Sequence, residues 1–381
     1  MDSKLSFKNC NWDEKILLFA LCSCFLPYYI TILTFAFVLG YIIFKKGKFL
    51  STIKNLQNIF FGIFVVITIY TALVFDNWLG IVISVTFFGI VLIMNFSSII
   101  CTNEFYIKLL IMLTRMSVLL SFAAFTETLI YSGITKIFRA NAYCMNPNYL
   151  AGLMMVSILA SAYLEMSRNA SRIYCFTVAI INFVTLYLTG SMSTWVALFI
   201  GFSIMLLVMR HHITIGIIFM LCAIAILVLF NSPQLFPRLE EADATIIIRF
   251  DIIEKVIECI KEAPFFGRGF LSCWHLNIIT EMTNNRLWHA HNLLLECLVS
   301  FGIIGTIPLS VAFIILFKKL SIAHRKSNDL FGVTSFVIAL VIGALAHSMV
   351  DLTLMWIQNG LLAVILVGGG IGSALKLSNK K

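Results

Sequence analysis

Apolar runs near the length of a membrane crossing, separated by short polar breaks, fill most of the sequence. They lie at 58–75, 79–100, 107–126, 149–164, 173–189, 192–209, 213–230, 292–317, 330–349 and 356–373. A helix needs roughly 20 apolar residues to cross the hydrocarbon core of a bilayer, so each run predicts a span. The first run, Ile16 to Phe44, is longer than one crossing and Pro27 interrupts it. We read it as two short spans meeting near Leu26 to Tyr28, with one long tilted helix as the alternative. The pattern predicts an all-α polytopic membrane protein of about twelve transmembrane helices, forming a single integral-membrane domain over residues 1–381.

One polar excursion breaks this pattern, from residue 231 to 291. Within it, positions 246, 250, 253, 257 and 260 are apolar at helical period, while Asp251, Glu254, Lys255, Glu258 and Lys261 take the other faces. That spacing predicts an amphipathic helix on the outer surface of the bundle, ended by Ala263 and Pro264. Lys255 and Lys261 have acidic neighbours at helical spacing, whereas Arg249 has none, so Arg249 reads as a cation available to a ligand.

Composition agrees with the membrane reading: 60% of residues are hydrophobic, 12% are charged and the mean hydropathy is +0.99. No soluble domain needs that much apolar surface. The net charge of +9 could suggest nucleic acid, but the basic residues recur in short clusters between apolar runs, as topogenic signals do. No nucleic-acid partner is expected. With the Lys45 loop in the cytoplasm, alternation also places Lys108, Arg168, Arg172, Arg210, Lys318, Lys319, Arg325, Lys326, Lys376, Lys380 and Lys381 inside. The large loop then faces outward and both termini are cytoplasmic. The cysteines sit in or beside apolar runs and read as small hydrophobes. No small-residue cleavage site follows the N-terminal segment, so no removable signal peptide is expected.

Candidate chemistry gathers on the outer side. Asn146, Pro147 and Asn148 supply turn and cap chemistry, with Asn148 placed to cap a helix from Tyr149. Gly267, Arg268 and Gly269 set a guanidinium between two residues without side chains, where backbone N–H groups and the fork could approach one anion; a flexible turn with a solvated arginine is the plain alternative. His289 and His291 alternate, with Cys273 and His275 upstream. A zinc site would need a second well-spaced pair or an adjacent carboxylate, so no metal is expected. His291 precedes a helix that Asn292 caps, and the positive helix end favours neutral imidazole, the form that accepts a proton. Glu296 lies inside the following apolar run and needs a partner there. His347 and Asp351, four apart, read as a second buried pair on one helix face.

These residues resemble the bacterial O-antigen ligase and polymerase superfamily, whose relatives include protein O-oligosaccharyltransferases. The ligase-type motif of His, Asn, nine residues and Gly-x-x-Gly is matched by His291, Asn292, Gly302 and Gly305. The family's earlier Arg, helix, Pro and paired glycines are matched by Arg249, Pro264, Gly267 and Gly269, its NPNxLA stretch by Asn146 to Ala151, and its late His and Asp by His347 and Asp351. The resemblance covers roughly residues 140–355. One departure stands out: many members carry an arginine after the serine of the hairpin that here reads Thr189, Gly190, Ser191, Met192. Either Arg268 replaces that cation or fewer charges hold the diphosphate.

The resemblance implies a metal-independent, inverting glycosyltransferase of the bacterial inner membrane, without a cofactor. It would move a glycan from an undecaprenyl-diphosphate carrier to a hydroxyl on an acceptor glycan, lipid or protein. His291, Arg249 and Arg268 would be catalytic, and Asn146, Asn148, Asn292, Glu296, His289, His347 and Asp351 would bind substrate. The chemistry is coherent, because a leaving lipid diphosphate gains charge that arginines stabilise and the attacking hydroxyl sheds a proton that His291 could take. A polymerase of O-antigen, capsule or exopolysaccharide units would use the same donor. A flippase for the lipid-linked glycan is the competing class, but it should show repeats and ionisable groups at mid-membrane, whereas these charges gather in one loop.

Overall fold

A computed structural model of the chain describes residues 10–45, 47, 54–131, 138–214, 216, 242–279, 286–327 and 332–378. Its helices are α1 (Trp12–Ser23), α2 (Tyr28–Phe44), α3 (Leu56–Val74), α4 (Trp78–Ile100), α5 (Asn103–Tyr131), α6 (Pro147–Met166), α7 (Arg172–Thr189) and α8 (Met192–Val208). After the undescribed segment come α9 (Ala242–Glu262), the single turn α10 (Ser272–His275), α11 (Leu293–Ser327), α12 (Val333–Ser348) and α13 (Ile357–Ser378). Among the described residues seven helices, α3 to α7, α11 and α13, are long and apolar enough to cross a membrane, and α2, α8 and α12 are shorter apolar helices. The chain is an all-α polytopic membrane protein. Most of the span expected at 213–230 falls outside the described residues.

The first apolar run is divided as its proline requires, but not into two crossings. The 12 residues of α1 reach about 18 Å at 1.5 Å per residue, against about 30 Å of hydrocarbon. It is therefore a half-span. Asn11 caps it by accepting from the Glu14 N–H while the Glu14 carboxylate accepts from the Asn11 N–H, a reciprocal pair that closes the helix start. Asn55, Asn77 and Asn146 cap α3, α4 and α6 with the same chemistry.

Packing uses small residues where helices touch. On α13, Gly368 and Gly372 lie one turn apart, and a Cβ at either would collide with the backbone of α4 at Met94 or Ser98. Bare backbone on one face lets two helices approach closely, and that contact replaces the hydrophobic drive that lipid does not supply. The main core fills the space between α1, α5, α6, α12 and α13, with Tyr106, Tyr163 and Phe336 fully buried. A second, aromatic cluster joins α3 to the large loop: Phe301 meets both Phe64 and Phe270 edge-on at 4.7 Å.

α11 is broken, and the break receives the loop. Gly302 holds φ 59° and ψ −171° inside the helix, which frees backbone groups that have no water to turn to. The segment after α9 supplies their partners. The Ile303 and Ile304 N–H groups donate to the carbonyls of Pro264 and Phe265, and the Ser300 carbonyl accepts from the N–H groups of Arg268 and Gly269. Gly267 lies against the backbone of Ser300 and Phe301, and Gly302 against that of Phe265 and Phe266, both at positive φ. A Cβ at Gly302 would lie 2.5 Å from the Phe265 carbonyl oxygen. We expect Gly302→Ala to cost several kcal/mol, the sum of a left-handed alanine and a backbone clash. A melting temperature in detergent within about 2 °C of the parent would contradict this, since about 1 kcal/mol shifts Tm by 2–4 °C in larger domains.

Candidate active site

The loop between α9 and α11 sets the first half of the site. On α9, Ile252 and Val256 are buried against Cys273, Ile278, Leu287, Ala290 and Val299. The predicted apolar stripe is divided: Ile260 packs on this cluster, whereas Phe250 is 66% exposed and Ile257 39%. The helix carries two apolar faces, one packed on protein and one turned outward beside the exposed Phe265 and Phe266. A helix lying in a membrane interface needs both.

From this cluster the chain runs through Leu287 to a tight turn. Asn292 caps α11, its side-chain oxygen accepting from the Leu294 and Leu295 N–H groups at 3.0 and 3.2 Å, while its amide donates to the Met349 carbonyl. Glu296 is 2% exposed and already satisfied: one carboxylate oxygen accepts from the Ala290 N–H at 2.8 Å, the other from the Ser300 hydroxyl at 2.7 Å. It shapes the turn between His289 and His291 instead of facing a ligand. His291, in that turn, has φ 51°.

The second half comes from the starts and ends of other helices. Asn146, not Asn148, caps α6; its side chain accepts from the Asn148 N–H, and Pro147 occupies the first turn. The expected cap residue is thereby released, and the Asn148 amide donates to Oδ2 of Asp351 at 2.5 Å. Asp351 and His347 do not share a helix face. α12 ends at Ser348, and Asp351 follows in the turn, its N–H bonded to the His347 carbonyl. His347 is buried among hydroxyls, its Nε2 2.9 Å from Thr194 and 3.2 Å from Ser193, its Nδ1 3.0 Å from Thr353. These contacts tie the end of α12 to the start of α8.

His289, His291 and Asp351 converge. Asp351 Oδ1 lies 3.5 Å from His289 Nε2 and 3.4 Å from His291 Nδ1. Asp351 is 2% exposed. Burial alone would raise its pKa, but the His291 ring at the same oxygen, His289 beside it and the Asn148 bond outweigh it and hold the carboxyl below the usual range. His289 is buried too, and burial, then the charge of His291, push its pKa down to about 4 against the pull of Asp351. It is neutral at pH 7. The His291 side chain is 36% exposed and that of His289 7%, so of the two only His291 offers a ring to a substrate.

Among the described residues these three are the one group whose donor atoms, within 4.8 Å of one another, could hold a metal ion. The carboxylate that sequence spacing did not supply is thus present. The tautomer argues against a cation. His289 Nδ1 accepts the His291 N–H at 3.2 Å, so in neutral His289 the ring proton sits on Nε2, the atom that would have to ligate. Metal-bound histidines do the opposite, donating from the second nitrogen. The arrangement suits proton transfer: an imidazole whose Nδ1–H faces a carboxylate keeps a lone pair on Nε2.

Two arginines fall differently from their expectation. Arg268 has its backbone N–H and Nη2 engaged within the protein, while its buried Nη1 has no hydrogen-bond partner. Its N–H bonds to Ser300, its guanidinium pairs with Glu262 at 2.6 Å and lies over Phe75 at 5.5 Å, and it is 8% exposed. Its described contacts lock the loop onto the α11 break, because the nearest carboxylate and aromatic face reach it first. Arg249 is not a cation without partners; its charge acts on His347, so α9 brings it toward the same end of the bundle. Arg139, which no motif in the sequence singles out, reaches Asn148. No local pattern marks it, since its partners are 9 and 50 residues away.

A search of curated proteins finds no match to the chain. Residues 177–310 match the family model described as O-Antigen ligase. The matched stretch holds Arg249, Arg268, His289, His291, Asn292 and the glycines of the α11 break, while Asn148 and Asp351 join the cluster from outside it through the fold. That stretch, with apolar helices long enough to cross a membrane on either side of the loop, is similar to the O-antigen ligase family.

Proposed function

We propose that the chain is an integral-membrane glycosyltransferase that moves a glycan from an undecaprenyl-diphosphate-type carrier to an acceptor hydroxyl at the outer face of the bacterial cytoplasmic membrane. The observation that carries this reading is the approach of His291 Nδ1 to the buried Asp351 carboxylate, at 3.4 Å, with the ring partly exposed. Asp351 fixes the ring, and Nε2 takes the proton of the acceptor hydroxyl as its oxygen attacks the anomeric carbon. The bond from that carbon to the diphosphate oxygen breaks, and the electron pair leaves with the lipid diphosphate. Attack opposite the leaving group inverts the anomeric centre. Arg249 stabilises the charge that grows on the diphosphate, and Arg268 is reassigned to holding the loop. The outward stripe of α9, with Phe250 and Ile257, lies where the carrier's headgroup meets the acyl layer.

The same packing supports the orientation proposed from the basic residues. Lys319 donates to Gln57 near the start of α3, and Lys376 donates to the carbonyls of Ile99 and Cys101 at the end of α4. Both lie at the bundle end away from the histidines, since α11 and α13 start at the site and end there. A cytoplasmic position for that end obeys the positive-inside rule.

The test is transfer in liposomes holding the purified chain, a lipid-linked glycan and an acceptor. Linkage formation is expected, and movement of the lipid-linked glycan across the bilayer without a new bond would make the chain a transporter. Arg249→Lys keeps the charge but loses the planar fork, and is expected to lower kcat by about 10-fold or more. Lys261→Gln on the same helix should change it less than about twofold, as surface pairs contribute little. Equal losses would mean that α9 needs only general basic charge.

A further inference from the structure

Arg139 is built into the cluster. Its segment is held on both sides: the Ala140 N–H donates to the Leu188 carbonyl, and the Glu127 carboxylate accepts from the Asn141 and Ala142 N–H groups at 2.9 and 2.6 Å. The side chain then crosses the α7–α8 hairpin. Its Nε donates to the Thr189 carbonyl at 2.8 Å, and its Nη2 donates to Oδ1 of Asn148 at 3.0 Å. Gly190, at φ +61°, leaves the room it needs, since a Cβ there would already touch the Nε at 3.4 Å.

Asn148 thus sits between a guanidinium and a carboxylate. The first can only donate and the ionised second can only accept, so the amide fits one way round, oxygen to Arg139 and nitrogen to Asp351. We infer that Arg139 is a positioning residue for His291. It locks the Asn148 amide, Asn148 ties down Oδ2 of Asp351, and Oδ1 is left for the two histidines. This rests on the reading of His291 as the base. Without Arg139 the amide is free to turn over and set its oxygen against the carboxylate, and Asp351 loses the contact that fixes its plane.

The experiment compares Arg139→Gln, Asn148→Ala, their double variant and Asn148→Asp in liposomes. Asn148→Asp keeps an acceptor for Arg139, which preserves the fold contact, but replaces the amide donor to Asp351 with a second carboxylate. Arg139→Gln and Asn148→Asp are each expected to lower kcat by up to about 100-fold, the scale of a misplaced catalytic group, with KM for the lipid-linked donor unchanged. The double variant should be no worse than Asn148→Ala alone. Additive losses, or a raised KM at normal kcat, would overturn the inference, the latter by making Arg139 a direct substrate contact. A second readout avoids transfer altogether: the rate at which diethyl pyrocarbonate modifies His291, followed by peptide mass spectrometry. It should change alike in Arg139→Gln and Asn148→Asp, and an unchanged rate also overturns the inference. If the rate changes as expected but His291→Ala still transfers, the base reading fails and the positioning chain stands. If His291→Ala is inactive and Arg139→Gln transfers normally, the reverse holds.

Discussion

His291→Ala is expected to reduce glycan transfer by about 10² to 10⁴, the usual contribution of a positioned general base. The structure sharpens which histidine carries this loss. His275 closes the single turn α10, beyond the described cluster, and His275→Ala should cost little. His289 is neutral and buried, with its Nδ1 occupied by the His291 N–H. It cannot serve as a second base, so His289→Ala should disturb Asp351 without matching the loss at His291. A metal mechanism makes a different forecast, because two imidazoles that ligate one ion are equally needed. Equal inactivity of both variants, with activity lost to a chelator and restored by zinc, would sink the acid–base reading. Near-normal transfer by His291→Ala would shift the burden to Arg249.

Asp351→Asn should be at least as damaging, by about 10³ to 10⁴ in kcat with KM for the donor little changed, because it leaves the shape intact and reverses a proton. Arg139 holds the Asn148 amide nitrogen toward residue 351, so the new amide must turn its oxygen to Asn148. Its NH2 group then faces both histidines. His291 answers by accepting on Nδ1 and carrying its proton on Nε2, which removes the lone pair that faces the substrate. His289 cannot answer the same way, because its Nδ1 already accepts a backbone N–H. Steady-state kinetics beside a folded-state check by size-exclusion chromatography would decide it, and a kcat within tenfold of the parent would remove Asp351 as the group that orients His291.

The sequence by itself determined the membrane architecture and much of its punctuation. Insertion in lipid is a requirement that each helix meets within its own residues, so apolar length and the breaks between runs are enough to place α3 to α8 and α11 to α13. Caps are equally local, which is why Asn292 was legible; Asn146 was misjudged by two positions because Pro147 tolerates the first turn. Gly302 and Gly267 are visible as motif glycines, but their purpose, a helix break filled by the loop's own carbonyls, is a contact between segments distant in sequence, Phe265 against Gly302 and Gly267 against Ser300. Tertiary structure alone decided which polar groups meet. Arg268 and Arg249 look alike as outward arginines, yet Glu262 and Phe75 capture the first while α9 brings the second to bear on His347. Asp351 left the histidine four residues before it for two histidines sixty residues away, because α12 ends at Ser348 and the Asn292 amide ties Met349 to the start of α11. Buried polar atoms must be satisfied by whatever the packing brings within reach, and reach is a property of the folded chain.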